Sequence, residues 1–223
     1  MLNEILAKYV EETFTGPDSS IYHYTKAGIG SEIIRSKHFR LTPHQELNNK
    51  SDNGELIVGP QLTKNYLKKT SLTRWESRLN DFMDRGITMH IGSFCEERHY
   101  SHTIEKYGPD CLEFSSMYLN KLQKQPVLIG RVIYDRKKQK EIITTMIDLH
   151  EQSNEEGSEK KRISLFQWLC VVYPLLKEEK HHLDSECRII TAYCMDPDDQ
   201  NKIIGKVQNQ ITFEHHEVQL IRG

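Results

Sequence analysis

Three short runs of the sequence place polar and aromatic side chains where strand packing alone does not need them. The first is the Tyr-His-Tyr-Thr run at 22–25, and the second is the Ser-Phe-Cys run at 93–95 with the polar, tyrosine-bearing segment 100–108 after it. The third is the acidic run at 184–188, which leads into an apolar strand. Imidazole, phenol and carboxylate groups of this kind bind ligands and move protons in functional sites.

The third run carries an acid that packing does not explain. Glu186 stands at the head of the apolar strand and Asp184 comes two residues earlier, so both carboxylates fall on one face of the strand. A carboxylate is rarely buried unless it is paired or used, which favours a functional role for Glu186. The structural alternative is a same-face surface ion pair with Arg188, worth ~0–1 kcal/mol.

Metal and thiol sites receive weaker support from the sequence. The adjacent histidine pairs at 181–182 and 215–216 point in different directions and do not share an ion easily. Neither they nor the 5 cysteines show the two-cluster spacing of a zinc site, so we predict no metal. Cys95 near His99 is a conceivable thiol nucleophile, but a buried cysteine is more often a small hydrophobe. No glycine-rich phosphate loop or dinucleotide fingerprint is visible.

The composition limits the class of protein. The chain has 223 residues, 37% hydrophobic and 28% charged, which excludes collagen-like and wholly disordered classes. Lys plus Arg total 30 and Asp plus Glu total 32, so a dedicated duplex-binding protein is not expected, although nucleic acid stays open as a substrate. With no secretory leader and no apolar run of the ~20 residues that span a bilayer, we expect a cytoplasmic protein with reduced cysteines and no membrane partner.

Periodicity predicts the elements that must position these runs. Apolar residues at helical spacing predict helices at the start of the chain, over 26–37 and over 60–85. Strands are expected at 21–24, 38–41, 87–94, 111–114, 126–134, 186–193 and 211–221. The polar stretches 43–59 and 150–161 are expected to be a surface loop and a linker between two helices. Because helices and strands do not alternate strictly, we predict an α+β fold, as one domain over 1–223 with helical insertions near 60–86 and 138–180.

The order and type of these runs resemble a widespread bacterial family, domain-of-unknown-function family 2971, over most of the chain. Its members open with a Tyr-His-Tyr-Thr-like strand, continue through an Asn-rich loop ending in Glu and a Ser-Phe-Ser strand end, and finish with Glu-x-Glu-x-Arg. The matching pieces are Tyr22 to Thr25, Leu47-Asn48-Asn49 through Glu55, Ser93-Phe94-Cys95, Ile104 to Gly108 with Cys111 to Phe114, and Asp184 to Arg188. Asp184 stands where the family has glutamate, and the tryptophan expected just before Tyr107 is missing.

That family is in turn similar to the ADP-ribosyltransferases, whose split, mostly antiparallel sheet with surrounding helices holds NAD. The resemblance implies that NAD is the substrate, that Glu186 is the catalytic acid and that Asp184 assists it. It implies NAD-binding roles for His23, Tyr24, Thr25, Ser93, Tyr100 and Tyr107. The ADP-ribose acceptor would be a macromolecule, either protein or nucleic acid.

The implied reaction gives these residue types a reason. Cleavage of the nicotinamide glycosidic bond passes through an oxocarbenium-like state, which a carboxylate beside the ribose stabilises. Loss of Glu186 should then cost ~2.7–4 kcal/mol, a 10²–10³-fold fall in rate. Asp184 would orient or deprotonate the nucleophile, and Tyr100 or Tyr107 would stack on nicotinamide.

Each assignment also has an ordinary alternative. His23 fits a satisfied histidine at a strand end, and Tyr107 fits a rim aromatic. The resemblance therefore implies NAD-dependent transfer of ADP-ribose, with a non-catalytic nucleotide-binding or protein-interaction module of the same fold as the alternative. The transferase prediction requires His23, Tyr107 and Glu186 to meet in one pocket.

Overall fold

The helices and strands follow from a computed structural model, which describes residues 2–44, 46, 57–69, 79, 87–98, 101–125, 127–152, 159–178, 185–195, 203–204 and 209–221. The helices are α1 (Leu2–Thr13), α2 (Ile29–Ser36), α3 (Val58–Lys69), α4 (Ser101–Tyr107), α5 (Ser116–Leu122), α6 (Arg136–Gln152) and α7 (Glu159–Val172), with a 3-10 turn at Tyr173–Leu175. The strands are β1 (Ile21–Thr25), β2 (His38–Arg40), β3 (Thr42–Pro43), β4 (Ile87–Cys95), β5 (Asp110–Phe114), β6 (Val127–Arg131), β7 (Glu186–Met195), β8 (Ile203–Ile204), β9 (Gln210–Thr212) and β10 (Val218–Ile221).

One large sheet forms the centre of the molecule. Its main path runs β10-β5-β1-β4-β7-β6, with β3 paired to β4 and β8 paired to β7, while β2 and β9 form a separate two-stranded sheet. The pairs between these strands are antiparallel. The predicted α+β class, with a mostly antiparallel sheet and surrounding helices, is confirmed.

The strand register sorts the side chains of the large sheet onto two faces. Tyr22 of β1 is the partner of Cys95 of β4, and Cys95 is the partner of Glu186 of β7. Directly paired residues point to the same side of an antiparallel sheet, and neighbours along a strand point to opposite sides. Tyr22, Cys95 and Glu186 therefore share one side, the Glu186 face, whereas His23 and Phe94 point to the other side, the His23 face.

A separate hydrophobic core covers each face. Helices α1, α3, α6 and α7 and the 3-10 turn pack on the Glu186 face, and the buried residues there include Phe14, Leu62, Met146, Leu169, Tyr173 and Ile190. Helix α5 and the small β2–β9 sheet pack on the His23 face, where the buried residues include Phe39, Phe94, Phe114, Leu119, Ile189 and Ile211. The central strands β4 and β7 contribute side chains to both cores.

The sheet is narrowly joined between β1 and β4. Strand β1 pairs with β5 along its whole length, but its pairing with β4 is limited to Tyr22 and Cys95. Beyond that pair, Nδ1–H of His23 donates a hydrogen bond to the Ser93 carbonyl at 3.0 Å. Because a carbonyl can only accept, this bond places the ring proton on Nδ1. The His23 side chain thus replaces a backbone bond at the junction.

Several element predictions are corrected by the structure. The predicted strand 211–221 is two strands, β9 and β10, which lie in different sheets. A turn separates them, in which the Glu217 N–H donates to the Glu214 carbonyl at 2.9 Å. The predicted strand 126–134 ends at Arg131. The predicted helix 60–85 is described from Val58 to Lys69, and its remainder, like most of the 43–59 loop, lies outside the described residues. Among the described helices, none combines the length and the apolarity needed to cross a membrane.

Candidate functional site

Glu186 stands at the first position of β7 and is 3% exposed. Its carboxylate accepts hydrogen bonds from three side chains. Lys177 Nζ lies 3.0 Å from Oε2 and 3.3 Å from Oε1, and Arg188 Nε lies 3.1 Å from Oε1. The Tyr134 hydroxyl donates to Oε2 at 2.5 Å. We refer to Glu186, Lys177, Arg188 and Tyr134 as the ionic cluster.

The ionic cluster uses the full acceptor capacity of the Glu186 carboxylate. A carboxylate has about four lone-pair sites, and each Glu186 oxygen accepts two hydrogen bonds within the cluster. Burial alone would raise the pKa of Glu186, but the positive charges of Arg188 and Lys177 and the bond from Tyr134 outweigh it and lower the pKa. Glu186 is therefore charged and fully bonded at neutral pH.

Neighbouring elements hold the cluster in place. Arg188 Nη1 donates to the Pro174 carbonyl in the 3-10 turn at 2.8 Å. The buried Gln139 of α6 donates through Nε2 to the Ile133 carbonyl at 2.6 Å and to the Lys177 carbonyl at 2.7 Å. The cluster thus joins β7, the 3-10 turn and the start of α6.

The ion pair that the sequence offered as a structural alternative is present, but not at the surface. Arg188 is 0% exposed and Lys177 is 6% exposed. Removal of one partner from a buried pair is far more costly than removal from an exposed pair, because the remaining charge loses its compensation away from water. This burial makes the structural reading of Glu186 stronger than the sequence suggested.

His23 lies on the His23 face, half-buried among aromatic rings. Its ring centroid is 4.7 Å from that of Phe39, edge to face, and 5.6 Å from that of Phe94. Burial lowers the pKa of His23, and the hydrogen bond to Ser93 opposes this only in part. A neutral imidazole with one satisfied nitrogen, packed on phenylalanines, matches the structural alternative for this residue.

The expected convergence of His23 with Glu186 is wrong. Their strands lie two positions apart in the sheet, about 10 Å, and their side chains point to opposite faces. The reason is the two-residue period of a strand: Tyr22 and Tyr24 share the Glu186 face, and His23 between them does not. Of the first run, Tyr24 is the predicted binding residue that lies on the face of the predicted acid.

Ser93 marks an opening in the cover of the Glu186 face. It is the register partner of Arg188, so both side chains point to this face. Ser93 is exposed, whereas Arg188 beside it is fully buried and Tyr24 on the neighbouring strand is 6% exposed. The helices on this face therefore leave the middle of the sheet accessible at Ser93.

The thiols near this opening are not activated. Cys95 is buried, and burial together with the nearby Glu186 charge raises its pKa to about 12. The thiol is therefore protonated at neutral pH and is no nucleophile. Its proposed partner His99 lies outside the described residues. The hydroxyl of Tyr24 is buried beside the Cys111 thiol, and burial and that thiol raise the pKa of Tyr24.

The other predicted residues divide into two groups. Thr25 points to the His23 face, because it follows His23 by two residues. Tyr107 ends α4, is 40% exposed and has the Lys106 ammonium 5.2 Å from its ring centroid. A Cβ on the next residue, Gly108, would lie 2.5 Å from the Thr25 carbonyl. Helix α4 therefore ends beside Thr25, the last residue of β1, and Tyr22 lies near the opposite end of that strand. Asp184 and Tyr100 lie outside the described residues, and their roles stay predictions.

Sequence reasoning missed Tyr134, Lys177 and Gln139. Lys177 follows a long apolar run and Tyr134 closes a predicted strand, so each looked like an ordinary boundary residue. No motif spacing links either of them to Glu186, since Tyr134 is 52 residues and Lys177 is 9 residues before it in the chain. A buried acid at the first position of a strand requires cationic partners, but the sequence does not show which lysine or arginine residues these are.

Within the described ranges, no group of three or more His, Cys, Asp or Glu side chains is placed to hold a metal ion. The four cysteines whose side chains are described, Cys95, Cys111, Cys170 and Cys187, are free and buried.

Comparison of the chain with protein-family models, with curated proteins and with solved structures gives no match.

Proposed function

We propose that this chain is a nucleotide-binding domain that holds NAD on the Glu186 face of its sheet without cleaving it. The ionic cluster carries this proposal. A carboxylate that stabilises an oxocarbenium-like ribose must turn a free oxygen toward the sugar, whereas both oxygens of Glu186 are bonded to Lys177, Arg188 and Tyr134. Glu186 then holds cations and strands in place and does not face a ligand.

The opening at Ser93 supports a ligand on this face. An exposed serine between buried neighbours offers a hydroxyl that both donates and accepts hydrogen bonds. Tyr24 lies on the same face, but its hydroxyl is buried beside the Cys111 thiol, so we expect Ser93 and not Tyr24 to supply the hydrogen bond to the ligand. The choice of NAD rests on the family resemblance, which is why NAD is the first ligand to test.

Transfer of ADP-ribose to a protein or nucleic acid is the second candidate, in a form that does not use His23, because His23 lies on the opposite face from Glu186. It is favoured by the row Tyr22, Cys95 and Glu186, which places an aromatic residue and the predicted acid on the face that opens at Ser93. For this reaction one oxygen of Glu186 would have to release a hydrogen-bond partner. We expect that partner to be the Tyr134 hydroxyl, because it is the uncharged one. Asp184 keeps its predicted role as the second acid.

A binding measurement tests the shared part of both candidates. Calorimetric titration with NAD is expected to show saturable binding that Ser93→Leu abolishes, because the larger side chain fills the opening. Ser31→Leu is the matched control, since Ser31 is exposed on α2, which packs on the opposite face. No binding by the unmodified chain, or equal binding by both variants, would remove the NAD site from this face.

A turnover measurement separates the two candidates. The chain is incubated with NAD labelled in its adenylate phosphate and with cell lysate, and nicotinamide release and label transfer are recorded. We expect neither. Turnover that Glu186→Gln removes, in a variant shown by circular dichroism to be folded, would establish the transferase and refute the non-catalytic proposal.

A further inference from the structure

A groove runs along the outer side of β6, away from the ionic cluster. Its volume is about 640 Å³, which is within the usual range for ligand-binding clefts. Strand β6 ends the path of the large sheet, with β7 on its inner side. The wall on the Glu186 face comes from α1 and α7, and the wall on the other side from the end of α5 and the residues after it. We call this feature the β6 groove.

The backbone of β6 offers unused hydrogen-bonding groups to the groove. The Val132 N–H donates to the Glu186 carbonyl at 2.9 Å, and the register pairs Arg131 with Cys187. In an antiparallel ladder bonded residues alternate, so Leu128 and its alternate neighbours bond to β7. The N–H and C=O groups of Val127 and Ile129 therefore point to the outer edge. The Val127 N–H is taken by the Gln125 carbonyl at 2.7 Å. Gly16 lies against the Ile129 carbonyl, since a Cβ there would be 3.4 Å from that oxygen. Among the bonds between described residues, this leaves the Val127 carbonyl and the Ile129 N–H.

These two groups fit a parallel strand. In parallel pairing one residue donates its N–H to one partner residue and accepts from the partner residue two positions on. The same chain already does this further along the edge: the Ile133 N–H donates to the Leu175 carbonyl at 2.7 Å, and the Lys177 N–H donates to the Ile133 carbonyl at 3.2 Å. Ile133 is thus paired in parallel with the segment around Leu176. The outer edge at Val127 and Ile129 lies on the same side of the chain, a few residues earlier, and is where a second parallel segment can pair.

The two walls of the groove differ in polarity. On the Glu186 face the wall is apolar and includes Val10, Phe14, Trp168 and Val171. On the other face the wall carries the amide side chains of Asn120, Gln123 and Gln125. Side chains of an added strand point alternately to the two walls. An occupant with apolar and polar residues in alternation would therefore satisfy both walls.

Among the residues whose side chains the structure describes, the charged ones that line the groove are Glu11 and Asp18, both exposed. We propose that the β6 groove binds an extended basic peptide segment of another protein, added in parallel to the outer edge of β6. The backbone of the segment bonds the Val127 carbonyl and the Ile129 N–H, its apolar side chains pack on Phe14 and Trp168, and its positive charge complements the two acids. This proposal is independent of any nucleotide on the Glu186 face.

Fluorescence anisotropy with a labelled peptide of alternating lysine and valine tests the proposal on the full chain. Two further peptides carry backbone N-methyl groups, one on the lysines and one on the valines. Only alternate residues of an added strand turn their N–H toward β6. We expect one methylated peptide to lose binding and the other to retain it. Equal affinities of the two, or no saturable binding of the parent peptide up to about 1 mM, would overturn the proposal.

Charge reversal locates the site. The Glu11→Lys, Asp18→Lys double variant is expected to weaken binding about tenfold at low salt, and Glu105→Lys, an exposed acid on α4, is the control that should change nothing. Unchanged affinity in the double variant would overturn the proposal. So would a concentration-dependent dimer that the double variant abolishes, because a second copy of the chain would then be the occupant of the edge.

Discussion

At the scale of single residues, the carboxylate of Glu186 joins parts of the chain that are far apart in sequence. It bonds Tyr134 beyond β6, Lys177 beyond the 3-10 turn and Arg188 within β7. Taking these charges out of water is costly, and the cost is offset only while every partner is present. The function of the cluster in the folded state is therefore sensitive to the loss of a single charge.

Glu186→Gln is expected to lower the free energy of unfolding by about 3–5 kcal/mol at pH 7. Glutamine keeps the shape of the side chain but removes the negative charge beside Lys177 and Arg188. Urea denaturation measures the loss. Glu113→Gln is the control, because Glu113 is a half-buried acid of β5 on the Glu186 face. This substitution should lower the free energy of unfolding much less. A similar small effect of both substitutions would contradict the structural role of the cluster.

The same variant gives a pH signature. The pKa of Glu186 is lowered in the folded chain, and an unfolded glutamate titrates near about 4.3. The stabilising contribution of the charge is therefore complete above that value and is lost as the pH falls through the lower, folded pKa. The stability difference between the unmodified chain and Glu186→Gln should shrink progressively below about pH 4.3. A stability difference that stays constant down to acid unfolding would contradict a lowered pKa of Glu186 in the folded chain.

His23 is expected to stay neutral at a pH where an unperturbed histidine, with a pKa of about 6.5, is largely protonated. Burial between Phe39 and Phe94 lowers its pKa. Its contribution to stability is present above the ordinary histidine pKa and is lost as the pH falls through the lower, folded value. Nitrogen NMR of the ring at pH 6 should show a neutral imidazole with the proton on Nδ1. An imidazolium, or a proton on Nε2, would contradict the hydrogen bond to the Ser93 carbonyl.

At the scale of elements, the entry into β7 depends on an unusual backbone conformation. Ser185 has φ 58, in the left-handed region, and its carbonyl accepts a hydrogen bond from the Glu96 N–H at 2.9 Å. This conformation turns the chain so that Glu186 begins the strand opposite Cys95. A residue with a Cβ is strained there, whereas glycine is not.

Ser185→Gly is expected to be more stable than Ser185→Ala by about 1 kcal/mol. Both variants lack the hydroxyl, which donates to Glu97 at 3.3 Å, so their difference isolates the backbone. Thermal or urea unfolding of the pair gives the value. An alanine variant as stable as the glycine variant would mean that the backbone relaxes at this position.

The elements also show where sequence reasoning stopped. Alternation and apolar runs predicted β1, β4, β5 and β7 close to their observed bounds. They did not predict which side of β1 faces the acid, because Tyr, His, Tyr and Thr do not alternate in polarity. Register is set by the pairing of Tyr22 with Cys95 and of Cys95 with Glu186, which are contacts between distant parts of the chain. Those contacts place His23 on the opposite face of the sheet from Glu186, which is why the predicted convergence of the two residues was wrong.

At the scale of the whole molecule, two cores lie on the two faces of one sheet. Strand β7 belongs to both, since Ile190 is buried in the core of the Glu186 face and Ile189 in that of the His23 face. The sequence predicted a single domain from length and from the mixed order of elements. It gave no sign of two cores, because an apolar strand with both faces buried has the same sequence pattern as any other buried strand.

Because β4 and β7 contribute side chains to both cores, we expect the two cores to unfold in a single transition. Leu119 is 1% exposed in the core of the His23 face, and Trp168 packs against the core of the Glu186 face. In a Trp75→Phe background, Leu119→Ala is expected to cost about 2–5 kcal/mol and to move the Trp168 fluorescence midpoint as far as the circular dichroism midpoint. Asn120→Ala, exposed on the same helix, is the control with little shift. If the Trp168 transition stayed in place while the dichroism transition moved, the two cores would be independent folding units and β7 would not couple them.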